Sequence, residues 1–517
     1  LLESAPATEA GYVISLGDVS AVNKKENTGM RPIDFIFDWK RWYPGYLLFA
    51  CMVVAAVLLI LGCSGPPLKP WHTEMLTAEF TTRKEGDIRT FDQYRQLEDR
   101  LFKQLEDKVY SQTGTGDEYL LVRYSSGSAA DPQPWKPNWN RSFELPTDAP
   151  VGGVLLLHGM SDSPYSLRAL GQTLNQRNYW VIGPRLPGHG TAPSGLTRIK
   201  WEDMAAVVRL SIKHLVSRVG QKPIHIIGYS TGAPLALDFT LEALNGSVSP
   251  VPASLVLISP AIGIHPAAGL AGFKDSLSII PGLGHLAWLS VQPEFDPYKY
   301  NSFATNAGAQ VHRVTSSVSR RVATWTRSGQ LEKFPPTLVL KSTVDATVST
   351  TAVADNLLNH LGAHGHEFVL FDINRHAGAD MLLVSDPGPL TNRLMADGTL
   401  PFTVTLVTNE NLASTRVVAR RKSPFSIEVS ETVPLDRSWP GGVISLSHVA
   451  LSFPPDDLLY GQRDPENEGT IYLGQMAIKG ERGLLKISYD WLFRLRYNPF
   501  YDYLESRTLD WVDGAGG

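Results

Sequence analysis

The sequence predicts an α/β fold: a mostly parallel sheet with helices on both faces. Three observations carry that expectation. From Val151 onward, short apolar runs alternate with longer segments of helical periodicity. The runs "VGGVLLLHG", "YWVIGPRLPGHG", "PIHIIGYS" and "ASLVLISP" are apolar throughout rather than at every second residue, as strands buried on both faces must be. The segments between them, "SPYSLRALGQTLNQRN", "WEDMAAVVRLSIKHLVSRV" and "GAPLALDFTLEALN", have the length and spacing of crossover helices.

After Pro260 the alternation stops. The next stretch, about 261–335, is rich in Gly, Pro and aromatic residues ("AAGLAGFKDSLSIIPGLGHLAWL") and has no strong strand. An excursion past the carboxyl ends of parallel strands reads as a helical cap over a site. The sheet resumes with "PPTLVLKSTVD", a helix "TAVADNLLNHLGA" and a last strand "HEFVLFDIN". A second excursion, about 377–440, leads to "SWPGGVISLSHVALSFPPDD", in which "VISLS" is expected to form a further strand. Ahead of the sheet, residues 88–110 place Phe91, Tyr94, Leu97, Leu101, Leu105 and Val109 on one helical face, and 125–142 read as a loop.

Residues 46–63, "YLLFACMVVAAVLLILGC", are uncharged and apolar, just long enough for a hydrocarbon core of about 30 Å. Lys40 and Arg41 precede them and favour a cytoplasmic N-terminal flank, which would put the bulk of the chain on the extracytoplasmic side. The ending "LILGCSGPP" resembles a bacterial lipoprotein signal with Cys63 as the lipidated residue, although Leu61 is larger than usual there. Cleavage before Cys63 and an uncleaved anchor stay equally open, and both tether the protein to a membrane. The chain opens on Leu, and Met30 is an expected translation start. The expected organisation is a flank and anchor at 1–63, then one enlarged domain at 64–517 entered through the stiff "GPPLKP".

Composition narrows the function. The chain of 517 residues is 43% hydrophobic and 19% charged with a formal net charge of −4, so a nucleic-acid partner is not expected. Cys51 and Cys63 are the two cysteines, both in the apolar segment. The domain therefore has no disulfide, no cysteine-based zinc site and no thiol nucleophile. The acidic pair in "PPDD" (454–457) is expected to be a solvated turn rather than a metal site, and no metal is expected.

The stretch "IHIIGYSTGAPLALDF" (224–239) raises the chemical question. A strand leads into Gly-Tyr-Ser-Thr-Gly and a helix leads out. A turn this tight needs Gly228 and Gly232, and it holds Ser230 above the sheet at a helix N-terminus. A serine hydroxyl needs an imidazole to take its proton and a carboxylate to orient that imidazole. Asp345, in the turn after "TLVLKS", is the carboxylate expected; Asp355 and Asp372 are worse placed. The backbone N–H groups of Met160 and Thr231 are the expected oxyanion donors. His158, His189 and His225 read as structural groups, and His285 and His312 lie in the cap.

Together "VLLLHGMSDSPYSLRALGQTLNQRNYWVIGPRLPGHGTAPSG", "IIGYSTGAPLAL" and "LVLKSTVDATVS" resemble the α/β-hydrolase superfamily, nearest the branch of monoacylglycerol lipases and proline-type serine aminopeptidases. The resemblance covers about residues 151–375. The stretches "SLSHVALSFPPDDLLYG" and "LFRLRYNPFYDYLESR" resemble bacterial membrane-linked members. This implies ester hydrolysis through an acyl-enzyme, on a small-molecule ester, without a cofactor.

Two histidines compete for the base. His376, in "LFDINRHAGAD", has the plain spacing, about 30 residues after Asp345. His448, in "VISLSHVALSF", lies about 100 residues after it and is favoured: an insertion at 377–440 would move the base along the chain without moving it in space. The function expected is a membrane-tethered serine hydrolase of lipophilic esters. A non-hydrolytic binding protein of the same fold, a thioesterase and an aminopeptidase are the alternatives. The last would need a carboxylate for the substrate amine, with Glu294 and Asp296 as candidates.

Overall fold

The computed structural model describes residues 65–263, 284–345, 348–363, 365–377, 383, 386–462, 471–474 and 493–514, together with Phe49, Met52 and Val53. The chain divides into two units, Leu1–Ala56 and Val57–Gly517. In the first, the described residues Phe49, Met52 and Val53 are helical and exposed. The rest of the expected anchor at 46–63, with Cys51 and Cys63, lies outside the described residues. Among the described residues no helix is long and apolar enough to cross a membrane.

The second unit is built on one sheet. In chain order its first strands are β1 (Phe143–Leu145), β2 (Gly152–Leu157), β3 (Tyr179–Gly183), β4 (Ile224–Tyr229) and β5 (Ser254–Ile258). A short hairpin, β6 (Trp288–Ser290) and β7 (Phe303–Ala304), stands apart from it. The sheet continues with β8 (Thr337–Ser342), β9 (His366–Phe371), β10 (Thr403–Asn409), β11 (Arg416–Lys422) and β12 (Val429–Ser438). Its spatial order is β1-β3-β2-β4-β5-β8-β9-β10-β11-β12. From β3 to β10 all neighbours are parallel; β1 at one edge, and β11 with edge strand β12 at the other, pair antiparallel.

Among the described residues the α-helices longer than one turn are α1 (Phe91–Lys108), α2 (Arg168–Gln176), α3 (Trp201–Val219), α4 (Gly232–Leu244), α5 (Thr305–Ser328), α6 (Thr350–Asn356), α7 (Gly388–Ala396) and α8 (Tyr501–Gly514). Because side chains alternate across a strand, the uniformly apolar runs feed two cores. Leu155, Ile226 and Leu257 pack with α3, α4 and α5 on one face. Val154, Leu156, Ile227 and Val256 pack with α2 and α8 on the other. Helix α1 begins where Thr90 Oγ1 accepts from Gln93 N and Gln93 Oε1 accepts from Thr90 N. All six apolar residues read from its periodicity are buried.

Three expectations are corrected. The stretch at 261–335 is not all cap: it contains α5, a helix of 24 residues. Its Val314, Val318 and Val322 are buried in the same core as α4, so α5 belongs to the layer covering the sheet. Residues 264–283 of the expected cap lie outside the described residues. The second excursion contributes α7 and the strands β10, β11 and β12, which extend the sheet beyond β9. "VISLS" is not a strand. It runs extended without a ladder because its carbonyls are taken singly: Val443 O by Asn374 Nδ2, Ile444 O by Asn374 N, and Leu446 O by Ser342 Oγ.

Candidate active site

Strand β4 ends at Tyr229, and Ser230 follows in the left-handed region at φ +53°. A non-glycine residue there is strained and persists only when its surroundings hold it. Here Ser230 N donates to Ile258 O at 2.9 Å, and Ser230 O accepts from Ala233 N and Ala261 N. The flanking glycines are sterically required. A Cβ at Gly228 would lie 2.7 Å from Ala233 Cα, and one at Gly232 would lie 2.0 Å from Leu157 O. The turn after β2 approaches just as closely, since a Cβ on Gly159 would meet Ser230 Cβ at 3.0 Å. Met160 and Thr231 therefore line the cavity beside Ser230.

His448 is the imidazole brought to this serine. Its Nε2 lies 3.1 Å from Ser230 Oγ and its Nδ1 lies 2.8 Å from Asp345 Oδ2. Its loop is fastened by Ser447 Oγ, which donates to Leu495 O at 2.7 Å. The Tyr229 ring lies beside it, centroids 5.6 Å apart. Asp345 sits in the turn after β8, its side chain fully buried, with Oδ1 accepting from Val348 N at 3.1 Å. Burial works against its charge. The hydrogen bond and charge of His448, with the Lys341 ammonium, outweigh that and hold the carboxyl well below the usual carboxylate range. With the carboxylate on Nδ1, the proton sits there and Nε2 presents its lone pair to Ser230, the tautomer a general base needs.

His376 is elsewhere in its contacts: it is exposed, and its Nδ1 is 3.1 Å from Leu412 O. His158 accepts from Leu186 N at Nε2 and donates from Nδ1 to Gly159 O, and burial holds it neutral with a pKa lowered to about 3. It thus braces the turn that carries Met160. His189 bonds Pro187 O and His225 bonds Ser254 Oγ, both in the core. His312 is half-buried on α5, with Nε2 3.5 Å from Ser316 Oγ. Asp372 is held by Arg375 and Thr408 Oγ1.

A cavity of about 540 Å³ opens over Ser230 and His448. Met160, Leu289, Phe303, Val311, Val348 and Val449 give it apolar walls, while Lys299, Arg494 and Arg496 bring cations. Lys299 is paired with buried Asp162 at 3.0 Å and Arg496 with Asp296 at 3.2 Å. Glu294 and Asp296 are not free to hold an amine. Glu294 accepts from Asn301 N and Ser302 N, with burial raising its pKa to about 7, and Asp296 is also bonded by Tyr460.

The reading of "PPDD" as a solvated turn fails at Asp457. It is buried, paired with Arg168 at 2.8 Å and bonded by Tyr165 Oη at 3.0 Å, because the segment folds back onto α2. Among the described residues no cluster of three or more metal-ligating side chains is present. The group that sequence reasoning missed is Lys341. Its signal was a single charge inside the apolar run "TLVLKS".

Residues 148–378 match the family model described as serine aminopeptidase, S33. The chain is similar to a thermostable monoacylglycerol lipase of Bacillus sp. (strain H-257), 34% identical over 137 residues, 26% of this chain and 52% of that protein. It is also similar to a carboxylesterase of Bacillus subtilis (strain 168), 36% identical over 84 residues, 16% of this chain and 34% of that one. The matched stretches thus span about half and about a third of those relatives. Among solved structures it is similar to a soluble variant of monoglyceride lipase from Saccharomyces cerevisiae, 14% identical with a TM-score of 0.35, covering 45% of this chain and 82% of that one.

Proposed function

We propose that the chain carries an α/β-hydrolase domain of the branch that holds the monoacylglycerol lipases, and that it is a membrane-tethered serine hydrolase of lipophilic carboxylic esters. The observation that carries this is the relay from Ser230 Oγ through His448 to Asp345, at 3.1 and 2.8 Å, opening into an apolar cavity. In this reading Ser230 Oγ attacks the acyl carbon while His448 Nε2 takes its proton. Met160 N–H and Thr231 N–H receive the oxyanion. The C–O bond to the alcohol breaks, and His448 returns the proton to the departing oxygen. Water then attacks the acyl-serine, again deprotonated by His448, and frees the acid and the enzyme.

The apolar walls suit an acyl chain. Engagement of Glu294 by its own loop, and of Asp296 by Arg496 and Tyr460, argues against an aminopeptidase. Residues 46–63 supply the tether, placing the hydrolase on the extracytoplasmic side.

The test is p-nitrophenyl ester hydrolysis by the full chain in detergent, across short and long acyl groups. Wild type and His376→Ala should turn over with similar kcat. Ser230→Ala and His448→Ala should lose at least about 10³-fold in kcat while keeping their fold. A serine-directed fluorophosphonate should label wild type and not Ser230→Ala. An active His448→Ala beside an inactive His376→Ala would reverse the assignment of the base. A wild type that neither turns over nor labels would make the protein a non-hydrolytic binder. Membrane fractionation with protease protection tests the tether and its side.

A further inference from the structure

One charged side chain at the site has no part in the steps above. Lys341 projects from β8, a strand whose every residue is buried, and its side chain is fully inaccessible. Its Nζ lies 2.5 Å from Asp345 Oδ2, the oxygen that also accepts from His448 Nδ1. Among the described residues Asp345 is its one ion-pair partner. A buried ammonium is costly, and an apolar side chain of similar volume would serve the strand's packing at least as well. The cation is better explained by what it does to the carboxylate it meets.

We propose that Lys341 is a positioning residue for this relay: it fixes the Asp345 carboxylate and offsets its charge, so that the Asp345–His448 pair resists protonation and the enzyme works at lower pH. The inference rests on the reading of Ser230, His448 and Asp345 as the acting groups. With Lys341 on Oδ2 and Val348 N on Oδ1, both carboxylate oxygens are held and the group cannot rotate away from His448. A positive charge one atom beyond the carboxylate also weakens the negative field at the imidazole. Burial pulls the ammonium below the usual lysine range, while the charge of Asp345 raises it.

The other charged or titratable groups facing the relay come from separate elements. Tyr229 lies beside the imidazole and is kept neutral by burial. Asp162, on the turn after β2, is paired with Lys299. Arg496 is paired with Asp296, and Arg494 is exposed at the mouth. Lys341 is paired with Asp345 and with none of these groups.

The test is the pH profile of kcat/KM for wild type, Lys341→Met and Lys341→Gln, with each preparation normalised to the sites that a fluorophosphonate titrates. Met keeps the length without charge, and Gln keeps a donor to Asp345 without charge. Both variants should move the acid limb upward by about 1–2 pH units. Near pH 6 kcat should then fall about tenfold or more, with KM little changed, and should recover towards wild type above pH 8. A merely structural lysine would lower the titrated sites and leave the limb where it was. A limb within about 0.2 unit of wild type in both variants overturns the proposal. So does failure of both to fold, which would make the ammonium a structural group. A wild type that neither turns over nor labels speaks instead against the relay itself.

Discussion

Gly232→Ala adds one carbon at the tightest point of the turn that carries Ser230. The new Cβ would stand 2.0 Å from Leu157 O and 2.6 Å from Leu157 C. Such contacts do not fall below 3.0 Å, so something must move by about 1 Å. Neither neighbour is a flexible side chain. Leu157 closes β2 and is registered opposite Gly228 of β4, so the two strands hold each other in place. The turn must then give, and it carries Ser230. A displacement of about 1 Å removes the 3.1 Å contact with His448 Nε2 and costs about 10²-fold in rate. Overpacking at the strand costs a further ~1–3 kcal/mol of stability. The assay is the second-order rate of fluorophosphonate labelling, beside kcat/KM on a p-nitrophenyl ester and a urea melt. Gly441→Ala is the control, because a Cβ there meets nothing within 4 Å. Labelling of Gly232→Ala within about twofold of wild type, on a folded protein, would refute the steric account.

Acid should unfold the domain steeply. Burial lowers the pKa of His72, His158 and His189 to about 3 and that of His225 to about 4, against 6.5 in the unfolded chain. A depressed histidine contributes stability that is complete above 6.5 and lost as pH falls towards the folded value. Four such groups give a slope of about 5 kcal/mol per pH unit between roughly pH 5.5 and 4.5. Glu294, raised to about 7, acts with the opposite sign: its contribution is present below 4.5 and lost as pH rises to 7. Urea melts across that range check the balance, and a flat stability between pH 6 and 4 would contradict it. Asp457→Ala should cost ~3–5 kcal/mol, because it strands the Arg168 guanidinium, whose side chain is 13% exposed. Asp456→Ala, at an exposed neighbour, should stay within ~0.5 kcal/mol by the same melts.

Local chemistry made much of this molecule readable in its sequence. The turn at Gly228-Tyr-Ser-Thr-Gly232 is legible because a strand leads in, a helix leads out, and Gly228 is demanded by Ala233 just beyond the turn; the contact that demands Gly232 comes from Leu157 of β2. The strands β2, β4, β5 and β8 are legible because burial on both faces makes them predominantly apolar rather than alternating. Asp345 is legible because a strand end places it, and α1 because one stripe meets a core. Helix α5 carried the same signal in Ala307, Val311, Val314, Val318 and Val322, all buried, but the Gly- and Pro-rich segment before it masked the change of period. What separates His448 from His376 is of another kind. Spacing can rank two histidines, but which imidazole lies 3.1 Å from Ser230 depends on how β10, β11 and β12 extend the sheet and return the chain. Lys341 and Asp457 are alike in this. Each is a charge whose partner is chosen by a fold contact, Asp345 across one turn and Arg168 from a helix far back in the chain. The sequence by itself determined where apolar surface must be hidden and where the backbone must turn. Tertiary structure decided which polar groups meet there, because a buried charge is tolerated only where the fold brings it a partner.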